Sequence, residues 1–97
     1  MRIRTNVHNS NIKQGDKMQI KQAIVSKFKN LCDERGIALN QLATLSGVTP
    51  STVYSMVDDS RKDLSVITVK KLCDGLEISI DQFFDDDIFR NLDQEIF

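Results

Sequence analysis

Between residues 18 and 84, apolar residues recur at helical spacing in five successive stretches separated by polar turns. In the first, Met18 to Arg35, the residues Ile20, Ile24, Phe28, Leu31 and Cys32 fall on one face, and Gly36 suits the left-handed position that ends a helix. The second runs from Leu39 to Ser46 with Leu42 and Ala43 inward, and Gly47 stops it. Thr49 is positioned to N-cap a third, with Pro50 at the first helical position, where its missing N–H forfeits no bond. Val53, Met56 and Val57 share a face of that helix. A polar loop, Asp58 to Leu64, leads to a fourth helix capped by Ser65, with Val66, Val69, Leu72, Cys73 and Leu76 expected inward. Ser79 and Gln82 have the spacing of a capping box ahead of Phe83 and Phe84 in a short fifth. Val66-Ile67-Thr68-Val69 is the one strand-like run, and its continuation through Leu72, Cys73 and Leu76 favours helix. The pattern predicts an all-α, compact five-helix unit.

The two ends depart from this pattern. Residues 1–17 are polar and aperiodic and read as a flexible arm. After Asp87, Ile88, Phe89, Leu92, Ile96 and Phe97 form one helical face, with Arg90, Asn91, Asp93, Gln94 and Glu95 on the other. A short acidic, amphipathic helical tail over 85–97 is therefore expected. A helix that short is marginal alone, so its apolar face must pack on its own domain or on a second copy, and the sequence leaves both open. The division predicted is a 1–17 arm, an 18–84 domain and an 85–97 tail.

Charge adds a gradient that the net value of −1 conceals. Residues 1–17 hold four basic and one acidic residue, net +3; residues 18–65 hold six and five, net +1; residues 66–97 hold three and eight, net −5. A nucleic-acid surface is expected on the more basic half, with the acidic half facing away. No apolar run is long enough to cross a bilayer, and no secretory leader pattern is present. Cys32 and Cys73 each sit inside an apolar helical pattern without a second Cys or His at metal spacing, so they read as reduced core thiols of a cytoplasmic protein. His8 stands alone in the arm. Asp85-Asp86-Asp87 reads as a solvated acidic helix end rather than a cation site. With no paired catalytic groups and no glycine-rich phosphate loop, neither an enzyme nor a cofactor is expected.

The informative segment is Leu39 to Val57. Two short helices meet at Gly47-Val48-Thr49; Ala43 is small enough for a close crossing, Gly47 can take positive φ, and Val48 can fill the corner. Leu39-Asn40-Gln41-Leu42-Ala43 followed by Ser46-Gly47-Val48-Thr49-Pro50-Ser51-Thr52-Val53 resembles the lambda-repressor-like (Cro/repressor-type) helix-turn-helix family. The resemblance extends through Thr68–Leu76 and Ile78–Phe84, covering about residues 20–84. It implies a sequence-specific DNA-binding transcriptional regulator, with repressor as the expected role. The partners expected are double-stranded DNA, a second copy in a homodimer and a possible regulatory protein, with no membrane.

By this resemblance, Pro50, Ser51 and Ser55 reach base edges in the major groove, and Thr49 and Thr52 approach phosphate. Tyr54 projects outward to stack on, or donate to, the backbone, and Arg61 and Lys62 supply the electrostatic contacts. Gln41 joins the DNA-contacting set and also stands where the second half of a capping box would be. Ala38 replaces a capping hydroxyl, at a cost of about 1 kcal/mol; Leu39 replaces a phosphate-gripping glutamine; and Glu77 stands where a glycine commonly ends the fourth helix. The missing clamp and the acidic balance define the rival reading, a protein-interaction module (antitoxin-like or adaptor) that keeps the fold without strong DNA readout.

Overall fold

The structure, a computed structural model, describes residues 18–61 and 63–95; the 1–17 arm, Lys62, Ile96 and Phe97 lie outside the described residues. In chain order the helices are α1 (Ile20–Arg35), α2 (Leu39–Ser46), α3 (Pro50–Val57), α4 (Val66–Gly75) and α5 (Ile80–Phe84), then a 3-10 turn at Asp87–Phe89. No strand occurs among the described residues.

Local chemistry sets the helix ends. Glutamine at the third position of α1, α2 and α5 returns its side-chain oxygen to the cap N–H: Gln22 Oε1 accepts from Gln19 at 3.0 Å, Gln41 from Ala38 at 2.7 Å and Gln82 from Ser79 at 2.9 Å. Only α5 completes the reciprocal box, because Ser79 Oγ also accepts from Gln82 N at 3.2 Å. At the other ends, one motif occurs three times. Gly47, at φ 71°, donates to Thr44 O while Val48 donates to Ala43 O; the same pair of bonds closes α1 at Gly36 and Ile37, and α4 at Glu77 and Ile78. Glu77 is the one non-glycine at positive φ among the described residues, at 59°. A side chain in that region costs about 1–2 kcal/mol. Ile37, Val48 and Ile78, the residue after each turn, pack against the core.

The core lies where α1, α2, α3 and α4 meet. It comprises Ala23, Ile24, Phe28 and Cys32 of α1, Leu42 and Ala43 of α2, Val53 and Met56 of α3, Val69, Leu72 and Cys73 of α4, then Leu76 and Phe83. Each fully buried Leu or Phe contributes about 1.5–3 kcal/mol of transfer free energy. No polar or charged residue is buried with them among the described residues. Cys32 and Cys73 are free thiols, and burial pushes both up, Cys73 to about 11. α2 packs most closely on α4. An added Cβ on Gly75 would run into Ser46 Oγ and come within 3.1 Å of Ser46 Cα.

Three expectations need correction. Val66 was expected inward but is 71% exposed: it is the first residue of α4, a turn before the helix reaches the core at Val69. Ile20 is 36% exposed at the start of α1, while Ala23, absent from the expected face, is fully buried. The tail helix is a single 3-10 turn, and residues 90–95 run on without regular structure. Asp86 caps that turn by accepting from Ile88 N at 3.1 Å, and Arg90 closes it by pairing with Asp87 at 2.6 Å and with Asp85.

Tertiary contacts hold the tail in that form. Phe89 joins an aromatic cluster, its ring centroid 5.6 Å from Phe83 and 4.7 Å from Phe84, and Phe83 stacks on Phe28 at 4.4 Å. Lys27 of α1 binds Asp86 at 2.7 Å. Farther along, Asp93 N donates to Met18 O at 3.0 Å, and Glu95 Oε2 accepts from Ile20 N at 3.3 Å. Of the two packing options left open by the sequence, the described tail takes the intramolecular one.

Candidate nucleic-acid interface

The candidate surface is built on α3 and the turn behind it. Because Gly47 is left-handed, α2 ends sharply and the chain reverses through Val48 to Thr49. Thr49, extended at φ −78° and ψ 153°, accepts from Thr52 N at 3.3 Å, and Pro50 occupies the first turn of α3. Thr49 Oγ1 also lies 2.9 Å from Ser51 Oγ and 3.0 Å from Thr52 Oγ1. Three hydroxyls are thus joined at the N-terminus of α3, where orphan backbone N–H groups and the positive end of the helix dipole favour an anionic partner.

Val53 and Met56 bury the opposite face of α3. This burial fixes which side chains face out: Thr49, Pro50 and Ser51 are exposed, Tyr54 is 58% exposed, and Thr52 and Ser55 are half-buried. Ser55 therefore sits nearer the edge of the surface than the sequence implied. Gln41 is exposed on α2, with its side-chain oxygen already committed to Ala38 N–H. Its amide nitrogen, a donor, is the part suited to phosphate.

The turn after α3 is held from within and from α1. Asp58 Oδ1 accepts from Ser60 Oγ at 2.7 Å and from Ser60 N at 3.0 Å, and Arg61 N donates to Asp58 O at 3.1 Å. The Ser60 hydroxyl, followed by its N–H, holds the Asp58 carboxyl below the usual aspartate range, and Arg61 and Lys21 add to the effect. Arg61 itself is 64% exposed, with Nε 3.6 Å from Asp58 Oδ2. An ion pair that long and that solvated contributes little, so the guanidinium is accessible to a phosphate. Lys62 lies outside the described residues. The sequence did not single out Lys21, whose ammonium donates to Asp58 O at 2.7 Å and to Arg61 O. Those partners are 37 and 40 residues away, so no local pattern signals them.

Several other cations are committed elsewhere. Lys27, Lys70 and Arg90 pair with Asp86, Asp74, and Asp85 with Asp87, while Arg35 donates to Leu76 O at 2.7 Å. Ion pairing therefore offsets part of the acidic half.

The Cro/C1-type HTH DNA-binding domain matches residues 27–87, more than half of the chain. The chain belongs to that family. The matched span of this Cro/C1-type domain starts midway along α1 and ends inside the 3-10 turn. Among solved structures, the crystal structure of the prophage Lp1 protein 11 is similar at 27% identity and a TM-score of 0.70, over 77% of this chain and 99% of that one. No curated protein matches the chain. No helix among the described residues is long and apolar enough to cross a membrane.

Proposed function

We propose that this Cro/C1-type domain is a sequence-specific transcriptional regulator that acts as a repressor by inserting α3 into the major groove. The observation that carries the reading is the α2–Gly47–α3 corner. It buries Val53 and Met56 and leaves Thr49, Pro50, Ser51 and Tyr54 facing out, with exposed Arg61 in the turn that follows α3. In this reading Pro50, Ser51 and Ser55 meet base edges. Thr49, Thr52, Tyr54, Gln41, Arg61 and Lys62 meet the backbone, which supplies most of the affinity. Binding involves no covalent chemistry and no cofactor, and it takes place in the cytoplasm. The active form is a homodimer on a palindromic site, with half-sites about 34 Å apart. Because Phe89 is used within its own domain, the second copy docks elsewhere than on the Phe89 face.

The test is the double substitution Ser51→Ala with Ser55→Ala. Binding to a site selected from a random pool should weaken by roughly 1–3 kcal/mol at an unchanged melting temperature. Equal binding by parent and variant would overturn the base contacts. One observation favours the rival protein-interaction reading: Leu39, where the family has a phosphate-gripping glutamine, is half-buried against the core. Lack of salt-dependent binding to any duplex would establish that rival.

A further inference from the structure

α3 ends without a cation of its own, since its last turn holds no basic residue. The carbonyl end of a helix is the negative pole of its dipole and attracts positive charge. Here the charge arrives from α1. Lys21 Nζ donates to Asp58 O, the cap position of α3, and to Arg61 O, three residues on. Asp58 O also accepts from Arg61 N, so one ammonium and one peptide N–H close the same turn on the same carbonyl. Ser60 fastens the carboxylate of that turn through two further bonds. The backbone from which the Arg61 side chain extends is thereby tied to α1 as well as to α3.

We infer that Lys21 is a positioning residue for DNA binding, holding the 58–61 turn so that Arg61 is presented at a fixed place beside the recognition helix. The inference rests on the DNA-binding reading of α3. Its physical basis is preorganisation: a loop ordered in the free protein need not be ordered on binding, and that difference appears as affinity. In this account Lys21 acts through the turn and not on the duplex, because two of its three ammonium protons are engaged with Asp58 O and Arg61 O, which hold the head group against the protein.

The test uses the full chain with Lys21→Met, Lys21→Arg, Arg61→Ala and the Lys21→Met/Arg61→Ala pair. Affinity for a random 20-base-pair duplex is measured over a salt series, and amide hydrogen exchange is followed in the free protein. Lys21→Met should bind about ten-fold more weakly, the order expected for losing a charged hydrogen bond, and its salt slope should fall by about one unit. Adding Lys21→Met to Arg61→Ala should change neither quantity, because the two act as one. Lys21→Arg should restore binding. In the free protein, Lys21→Met should speed exchange at the Arg61 amide and leave that of Leu72 unchanged. Additive losses, or an Arg61 amide unaffected by Lys21→Met, overturn the inference while leaving α3 as the reading helix. A parent chain that binds no duplex, with the exchange effect intact, overturns the DNA-binding reading and the role of Lys21 with it.

Discussion

Gly75 closes α4 against Ser46, the last residue of α2, and substituting it tests how tightly that crossing is set. A Cβ at position 75 meets Ser46 Oγ first, and Ser46 Cα and Cβ next, both at 3.1 Å. The hydroxyl has no hydrogen bond among the described residues to break by turning away, but it is buried and must be fitted into packed surroundings, so it carries part of the cost. The two carbons cannot move without shifting α2. Overpacking of this kind costs about 1–3 kcal/mol. Against it, alanine gains somewhat less than the roughly 1 kcal/mol that it gains over glycine in a helix interior, because Gly75 is the last helical residue. Gly75→Ala should therefore destabilise by about 1–2 kcal/mol and lower the melting temperature by roughly 5–15 °C, read by circular dichroism at 222 nm. Ser46→Ala removes the orphaned hydroxyl and should be neutral or stabilising. In that background Gly75→Ala should cost less than in the parent, because only the 3.1 Å carbon contact remains. A Gly75→Ala protein as stable as the parent, or a double variant whose loss equals the sum of the single losses, would show that α2 and α4 are not in the contact described.

Gly47→Val should destabilise by about 1–3 kcal/mol through backbone strain alone, because the space around position 47 is open; Glu77→Gly, which relieves the same strain after α4, should stabilise by about 0.5–1 kcal/mol. Thermal melts of both check the signs. Lys27, then the Ile88 N–H, holds the Asp86 carboxyl below the ordinary aspartate value. The folded state therefore binds fewer protons than the unfolded state, and the pair's stabilisation is present above about pH 4 and lost as pH falls through the lowered value. Asp86→Asn should cost about 1 kcal/mol at pH 7, discounted for the 36% exposure of that side chain, and nearly nothing once the pH has fallen below the lowered Asp86 value. Urea unfolding at a series of pH values should show the two curves converging in acid.

The elements most legible in the sequence are those decided by local chemistry. Gly36, Gly47, the Thr49-Pro50 start, the Ser79/Gln82 box, the half-box of Gln41 and the strained Glu77 all follow from which backbone groups lack partners at helix ends, and they stand where the sequence placed them. What depended on distant contacts was less legible. Apolar periodicity cannot tell where a helix enters the core, so Val66 was assigned inward although α4 reaches buried surroundings only at Val69. The tail has helical spacing, yet capture of Phe89 by Phe83 and Phe84, with Asp86 drawn to Lys27, outweighs the small propensity of a short segment. The role of Lys21 and the fit of Gly75 against Ser46 arise only once α1 meets the α3 turn and α2 meets α4. In the candidate interface, which residues α3 turns outward followed from its apolar face; the lesser exposure of Thr52 and Ser55 did not.

The central claim, that α3 reads DNA by sequence, is tested most directly by selecting duplexes from a random pool with the full chain. The affinity of the best duplex is then compared with that of a scrambled one across a salt series. If α3 reads sequence, the selected site has two-fold symmetry and is bound at least about 10³-fold more tightly than the scrambled duplex, with both affinities falling as salt rises. Equal affinity for the two duplexes, or binding that salt does not weaken, would contradict it.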